Sequence, residues 1–131
     1  MNDCHLNGFN KCSPASLTQI NAFSSQSGVN LPQDYTAFLR QSNGGEGLIG
    51  PNSYLILWSV EELVSLNEAY QVNEYAPGLL LFGSDGGGDA YAFNTKECNH
   101  IVRVPFVGMD VSAVEQLADD FGGFLETLAK V

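Results

Sequence analysis

The sequence predicts an α+β fold: a single domain with a mainly antiparallel β-sheet of about four or more strands and helices packed around it. Three observations lead there. Leu79, Leu80, Leu81 and Phe82 form a short apolar block, as expected of a strand covered on both faces. Ala90 to Phe93 alternates, with Tyr91 and Phe93 on one side, because successive strand side chains point to opposite faces. Between these runs lies Ser84-Asp85-Gly86-Gly87-Gly88-Asp89, whose glycines tolerate positive φ and permit a tight turn. The stretch reads as a central hairpin with an acidic tip. Helical patterns before and after it, joined by short turns, complete the class.

Taken in order, residues 1–12 are polar and read as a loosely ordered lead-in, with the domain spanning 13–131. Ser13-Pro14 reads as a helix start, Ser as N-cap and Pro at the first helical position. Leu17, Ile20 and Phe23 recur at helical spacing and Gly28 ends the run. Leu31-Pro32 opens a second helix, with Asp34 in its first turn, where negative charge suits the dipole. Tyr35, Phe38 and Leu39 give that helix a core-facing side, and Asn43-Gly44-Gly45 stops it. The four glycines between Asn43 and Gly50 read as a flexible loop around Glu46.

Ser53 to Trp58 reads as a buried strand. Ser59 and Glu62 form a capping box, S-x-x-E, ahead of a third helix ending near Tyr70. After the hairpin, Ile101 to Val104 is a further strand, ended by Pro105, which cannot donate to a ladder. Ser112 and Glu115 repeat the capping-box pattern. A last helix is expected to bury Val114, Leu117, Ala118, Phe121, Phe124, Leu125 and Leu128. Gly122 and Gly123 sit inside it at about 1 kcal/mol each relative to Ala. The expected order is α-α-β-α-β-β-β-α.

Composition narrows the function. Five Lys and Arg against fifteen Asp and Glu give a net charge of −10. Such a chain lacks the clustered cations that hold phosphates, so neither nucleic acid nor an anionic membrane is an expected partner. A basic protein is, because the field speeds its encounter; acidity also serves solubility. No run is long and apolar enough for a membrane span, and the N-terminus lacks the pattern of a secretory signal. Three cysteines, an odd number, suit a reducing cytoplasm, the expected location. Cys4, His5 and Cys12 match no zinc spacing, so no metal is expected there.

A catalytic motif is not found. No G-x-S-x-G elbow occurs. The glycine triplet is neither a dinucleotide fingerprint nor a P-loop, because a strand follows it and no Lys does. Asp85 and Asp89 as an acid–base or calcium pair is the one enzyme-like alternative, and an exposed acidic loop is more often simply solvated. Trp58, Tyr54 and Tyr91 are candidate aromatic anchors for a partner, set against the plainer reading that they fill the core.

Two motifs carry a resemblance. Leu31-Pro32-x-Asp34-Tyr35-x-x-Phe38-Leu39 running into Asn43-Gly44-Gly45, and Gly83-Ser84-Asp85-Gly86-Gly87-Gly88-Asp89 before a strand, together resemble the SUKH superfamily. That group is named partly for a fungal cell-wall-synthesis regulator. The resemblance covers roughly residues 13–130. It implies a single α+β domain with no enzymatic activity and no cofactor. Bacterial members typically act as immunity proteins that bind and neutralise a cognate polymorphic toxin, often a nuclease. Other members are eukaryotic regulators or viral proteins. Asn94 departs from the pattern, where an acidic residue is expected after the glycine loop. The expected function is therefore a non-catalytic, partner-binding immunity protein, with an adaptor for an endogenous protein as the alternative. Glu46, Asp85 and Asp89 are the expected acidic contacts, and Tyr91 and Trp58 the expected anchors.

Overall fold

The computed structural model describes residues 8–50 and 53–130. Among them, seven strands form one antiparallel sheet whose spatial order follows the chain. The strands are β1 (Gly8–Lys11), β2 (Gly45–Ile49), β3 (Ser53–Leu57), β4 (Leu79–Ser84), β5 (Asp89–Asn94), β6 (His100–Pro105) and β7 (Glu115–Ala118). Five helices accompany them: α1 (Leu17–Ser27), α2 (Gln33–Leu39), α3 (Leu63–Ala69), α4 (Val72–Tyr75) and α5 (Phe121–Lys130). A sheet of consecutive antiparallel neighbours with helices packed on it is a single α+β domain.

The hairpin at its centre is covered on both sides, because β4 and β5 are apolar on both. Leu80, Phe82, Tyr91 and Phe93 face α1, α2 and α5 and join Tyr35, Phe38, Phe121 and Phe124 in the larger core. The Tyr35 ring lies 5.0–5.6 Å from those of Phe82, Phe93 and Phe121, within the range of favourable tilted and edge contacts. On the reverse, Leu79, Leu81, Ala90, Ala92, Val102 and Val104 pack under Val72, Ala76 and Met109.

Two carboxylates start α5. Asp34 Oδ2 accepts hydrogen bonds from the backbone N–H groups of Phe121 (2.9 Å) and Gly122 (3.2 Å), tying α2 to α5 across the core. Asp120 Oδ1 accepts from Gly123 N–H at 2.7 Å. A Cβ on Gly123 would stand 2.9 Å from that oxygen, so glycine makes room for the cap. These residues satisfy orphan donors at a helix end rather than weakening a helix interior.

Several sequence expectations need correction. α1 begins after Ser16, whose side chain and that of Gln19 form the capping box, rather than at Ser13-Pro14. Gly8–Lys11, expected in the loose lead-in, is an edge strand paired with β2. Its one apolar side chain, Phe9, is buried over Gly45, where a Cβ would meet the ring at 2.7 Å. The glycine-rich stretch around Glu46 is strand β2, held by backbone pairing on both sides. Ser112 caps no helix: Asp110 accepts its N–H and hydroxyl instead, in a short 3-10 turn. Residues Glu115–Ala118 then pair with β6 as β7, and α5 starts only at Phe121. Cys4 and His5 lie outside the described residues.

β3 and β4 pair through only two residue pairs, Ile56–Ser84 and Leu57–Gly83. Beyond them Asn67 of α3 replaces the missing strand. Its carboxamide accepts from Leu81 N–H (2.8 Å) and donates to Leu81 C=O (3.0 Å). Both groups would otherwise be orphaned at a buried site. β3 therefore joins the hairpin only at its end, and β2 and β1 follow it in the sheet.

Candidate functional site

That half of the sheet, β1 to β3, is packed on one side only. Ile49, Leu55 and Leu57 point to the helices and are at most 4% exposed. By alternation Glu46, Leu48, Tyr54 and Ile56 point the other way, toward solvent, and Trp58, just past β3, borders this face half-buried against both cores. Leu48 is 49% and Tyr54 40% exposed. A depression of about 620 Å³ opens on this face, lined by Asn10, Glu46, Tyr54, Ile56, Trp58 and Glu62 among others. Among the described residues that line it, none is a Lys or Arg.

Its polar groups are held in place by hydrogen bonds within the chain. The Tyr54 hydroxyl donates to Glu46 Oε2 at 2.6 Å, leaving Oε1 without a partner among the described residues. That hydrogen bond, with the Glu46 charge, raises the Tyr54 phenol above its ordinary pKa. Glu62 Oε1 accepts from the N–H and hydroxyl of Ser59, so the expected capping box forms and fixes this carboxylate at the rim. Trp58 stacks on Tyr70, centroids 6.1 Å apart and planes 10° apart, and Tyr70 packs on Phe106 at 4.7 Å. Tyr70 and Phe106 come from distant segments; nothing in the sequence linked them to Trp58.

The hairpin tip is different. Asp85 Oδ1 accepts from Gly87 N–H (2.8 Å) and lies 3.3 Å from Asp89 N, the geometry of an Asx turn. The Ser84 hydroxyl oxygen accepts from Gly86 N–H at 2.9 Å. Asp89 sits two residues before Tyr91, on the helix-covered side. Its carboxylate is 4.0 Å from Arg103, which also binds Glu115. Tyr91 is 2% exposed and packs edge-on to Phe124, so the expected anchor is a core residue. Burial, with Asp85 and Asp89 nearby, pushes its phenol up to about 12.

The five expected site residues thus separate. Glu46 and Trp58 share the open face with Tyr54; Asp85 and Asp89 hold the hairpin tip; Tyr91 is inside. Asn94 lies at the opposite end of β5 from the glycine loop. Its Oδ1 accepts from Lys96 N–H, and its carbonyl accepts from Glu97 and Asn99 in the β5–β6 turn. It does not touch the glycine loop.

The remaining motif residues serve close backbone approaches. A Cβ on Gly83 would stand 2.4 Å from the Ile56 carbonyl oxygen, and one on Gly44 2.6 Å from that of Leu57. Asn43 Oδ1 accepts from Val60 N–H and starts the turn before α3. Residues 14–127 match the SMI1 / KNR4 family (SUKH-1). The chain belongs to this family. A comparison with curated proteins finds no match. The family signature in this member builds the fold, and the open face of β2 and β3 carries the unspent side chains.

No group of three or more His, Cys, Asp or Glu side chains among the described residues is placed to hold a metal ion. Cys12 and Cys98 are free and exposed. No helix among the described residues is long and apolar enough to cross a membrane. A second depression, about 580 Å³, lies between α1, α3, α4 and β4. The carboxamide of Asn67 in its lining is already committed to Leu81.

Proposed function

We propose that this SUKH-1 member is a non-catalytic immunity-type protein that binds a cognate bacterial toxin domain and covers its active site. A nuclease domain fits best, because its nucleic-acid-binding surface is basic. The observation that carries the reading is the pairing of family membership with a net charge of −10 and an exposed face on which the described lining residues include acids and no cation. Opposite charge steers encounter and favours a basic partner over an acidic one. The cytoplasm, where an incoming nuclease would act, is the compartment this role requires.

The test is protection in cells. A nuclease toxin domain from the source organism is expressed from an inducible promoter, with or without this chain. Restored growth, together with a purified complex that weakens as salt rises, supports the reading. Growth arrest despite expression of the folded chain, across every toxin domain the organism encodes, overturns it. Recovery of a regulatory protein as the one stable partner would then favour the adaptor role.

A further inference from the structure

Resting on that reading, we infer that the open face of β2 and β3, and not the acidic hairpin tip, is where the partner docks, and that it seats an Arg- or Lys-bearing segment across Tyr54, Ile56 and Trp58. Four features converge. The face is apolar enough to reward burial: Leu48, Tyr54 and Ile56 are at least partly exposed, whereas their neighbours Ile49, Leu55 and Leu57 are in the core. It is concave. Among the described residues its charge has one sign, with Glu46 and Glu62 in the lining and Glu61 on the adjoining turn, so the complementary occupant is cationic. Its aromatic groups are held in place, Trp58 by stacking on Tyr70 and Tyr54 by its hydrogen bond to Glu46. A guanidinium over an indole gains cation–π attraction, and a neighbouring carboxylate adds a charge-assisted hydrogen bond.

The hairpin tip fails the same requirements. The Asp85 carboxylate organises its own loop, and Asp89 faces Arg103 on the opposite side of the sheet. A cation arriving there meets groups already engaged. The face also remains distinct from the sheet edges, where a peptide would add to β1 or β7 through backbone bonds alone.

The experiment titrates the isotope-labelled intact chain with one probe, the capped peptide acetyl-Arg-Leu-Arg-Leu-Arg-amide, and maps amide and indole shifts by NMR. Shifts are expected at Glu46, Leu48, Tyr54, Ile56, the Trp58 indole and Tyr70. Affinity should fall about tenfold in Glu46→Lys, where attraction becomes repulsion. It should fall less in Trp58→Ala, and Glu126→Lys, at an exposed position of α5, should leave it unchanged. Glu46 is exposed, so its variant tests the idea even if Trp58→Ala folds poorly.

Shifts centred on Gly86 to Gly88 overturn the assignment, as do shifts along β1 or β7, shifts spread evenly over all acidic residues, or no shift. Shifts at this face on raising protein concentration without peptide also overturn it, because a second copy would then be the occupant. The two proposals fail separately. Mapping to this face without protection from any toxin keeps the surface and removes the toxin. Protection fully retained by Glu46→Lys and Trp58→Ala keeps immunity and removes the surface.

Discussion

The two faces of β2 and β3 come from the same ten or so residues and do opposite things. On the helix side, Ile49, Leu55 and Leu57 are sealed into a core that also holds Tyr35, Phe38 and Phe121. On the other side, Leu48, Tyr54, Ile56 and Trp58 are left partly or largely in water beside Glu46. The contrast is not one of hydrophobicity, since both faces carry large apolar groups. It lies in what the polar groups are committed to. Asp34, on the covered side, satisfies two backbone donors of α5, whereas Glu46 and Glu62 each keep an oxygen with no partner among the described residues. One face is closed by its own chain; the other is left open to solvent.

The sharpest way to break this contrast is to truncate one large side chain on each face and measure unfolding in urea. Phe121→Ala should cost about 3–5 kcal/mol, the range for an aromatic deleted from a packed core. Leu48→Ala should stay within about 0.5 kcal/mol, as for an exposed residue with no structural partner. Equal costs would mean that the outer face is also part of the core.

Next in size is the pair of carboxylates. Asp34→Ala leaves two helix-start amides without an acceptor and should cost about 2 kcal/mol. Glu46→Ala should change stability by less than about 0.5 kcal/mol. A large loss from Glu46→Ala would show that its bond to Tyr54 holds the sheet together.

How much of this could be read in advance follows the same division. The hairpin, its glycine tip and the Ser59 capping box were legible because each is local: a pattern within a few residues and a physical reason for it. β1 and β2 were not, because Gly8–Lys11 has one apolar side chain and Gly45–Ile49 looks like a loop until Phe9 is seen to need Gly45. β7 was masked because Val114, Leu117 and Ala118 fall at helical spacing, yet Leu117 and Ala118 belong to an edge strand and Val114 ends the turn before it. The acidic excess was legible from composition, but not that Glu46 and Glu62 would line one open face with Tyr54 and Trp58. The glycine loop drew attention because it is conspicuous in sequence. Trp58, Tyr70 and Phe106 form one aromatic cluster only after three separate segments come together.

Alkaline titration sharpens the comparison through two tyrosines. Burial raises the Tyr91 phenol from its ordinary value near 10 to about 12 in the folded chain. A raised pKa means the fold favours the protonated phenol, so its contribution is intact below pH 10 and is lost as pH climbs toward 12. Tyr91→Phe should therefore move the alkaline unfolding midpoint upward, followed by circular dichroism. Tyr54 is raised too, by its bond to Glu46, but it stands in water on the open face. Tyr54→Phe should leave the unfolding midpoint where it is while removing one phenolate from the ultraviolet titration.

The smallest expected effect concerns a place where the covered face resembles an open one. The Tyr35 hydroxyl is fully buried among Phe82, Phe93 and Phe121, with no hydrogen-bond partner among the described residues. Burial holds its phenol far above the ordinary range, so it stays neutral at any physiological pH. An unpaired buried hydroxyl costs about 1–3 kcal/mol in desolvation, and removing it recovers part of that while giving up a few dispersion contacts. Tyr35→Phe should thus be neutral or stabilising by about 1 kcal/mol, measured in the same urea series. A clear loss of stability would show instead that the hydroxyl is satisfied in solution, a buried water being the chemistry that fits. The aromatic core would then be closed to protein partners but not to solvent, and the division between its two faces would be one of degree.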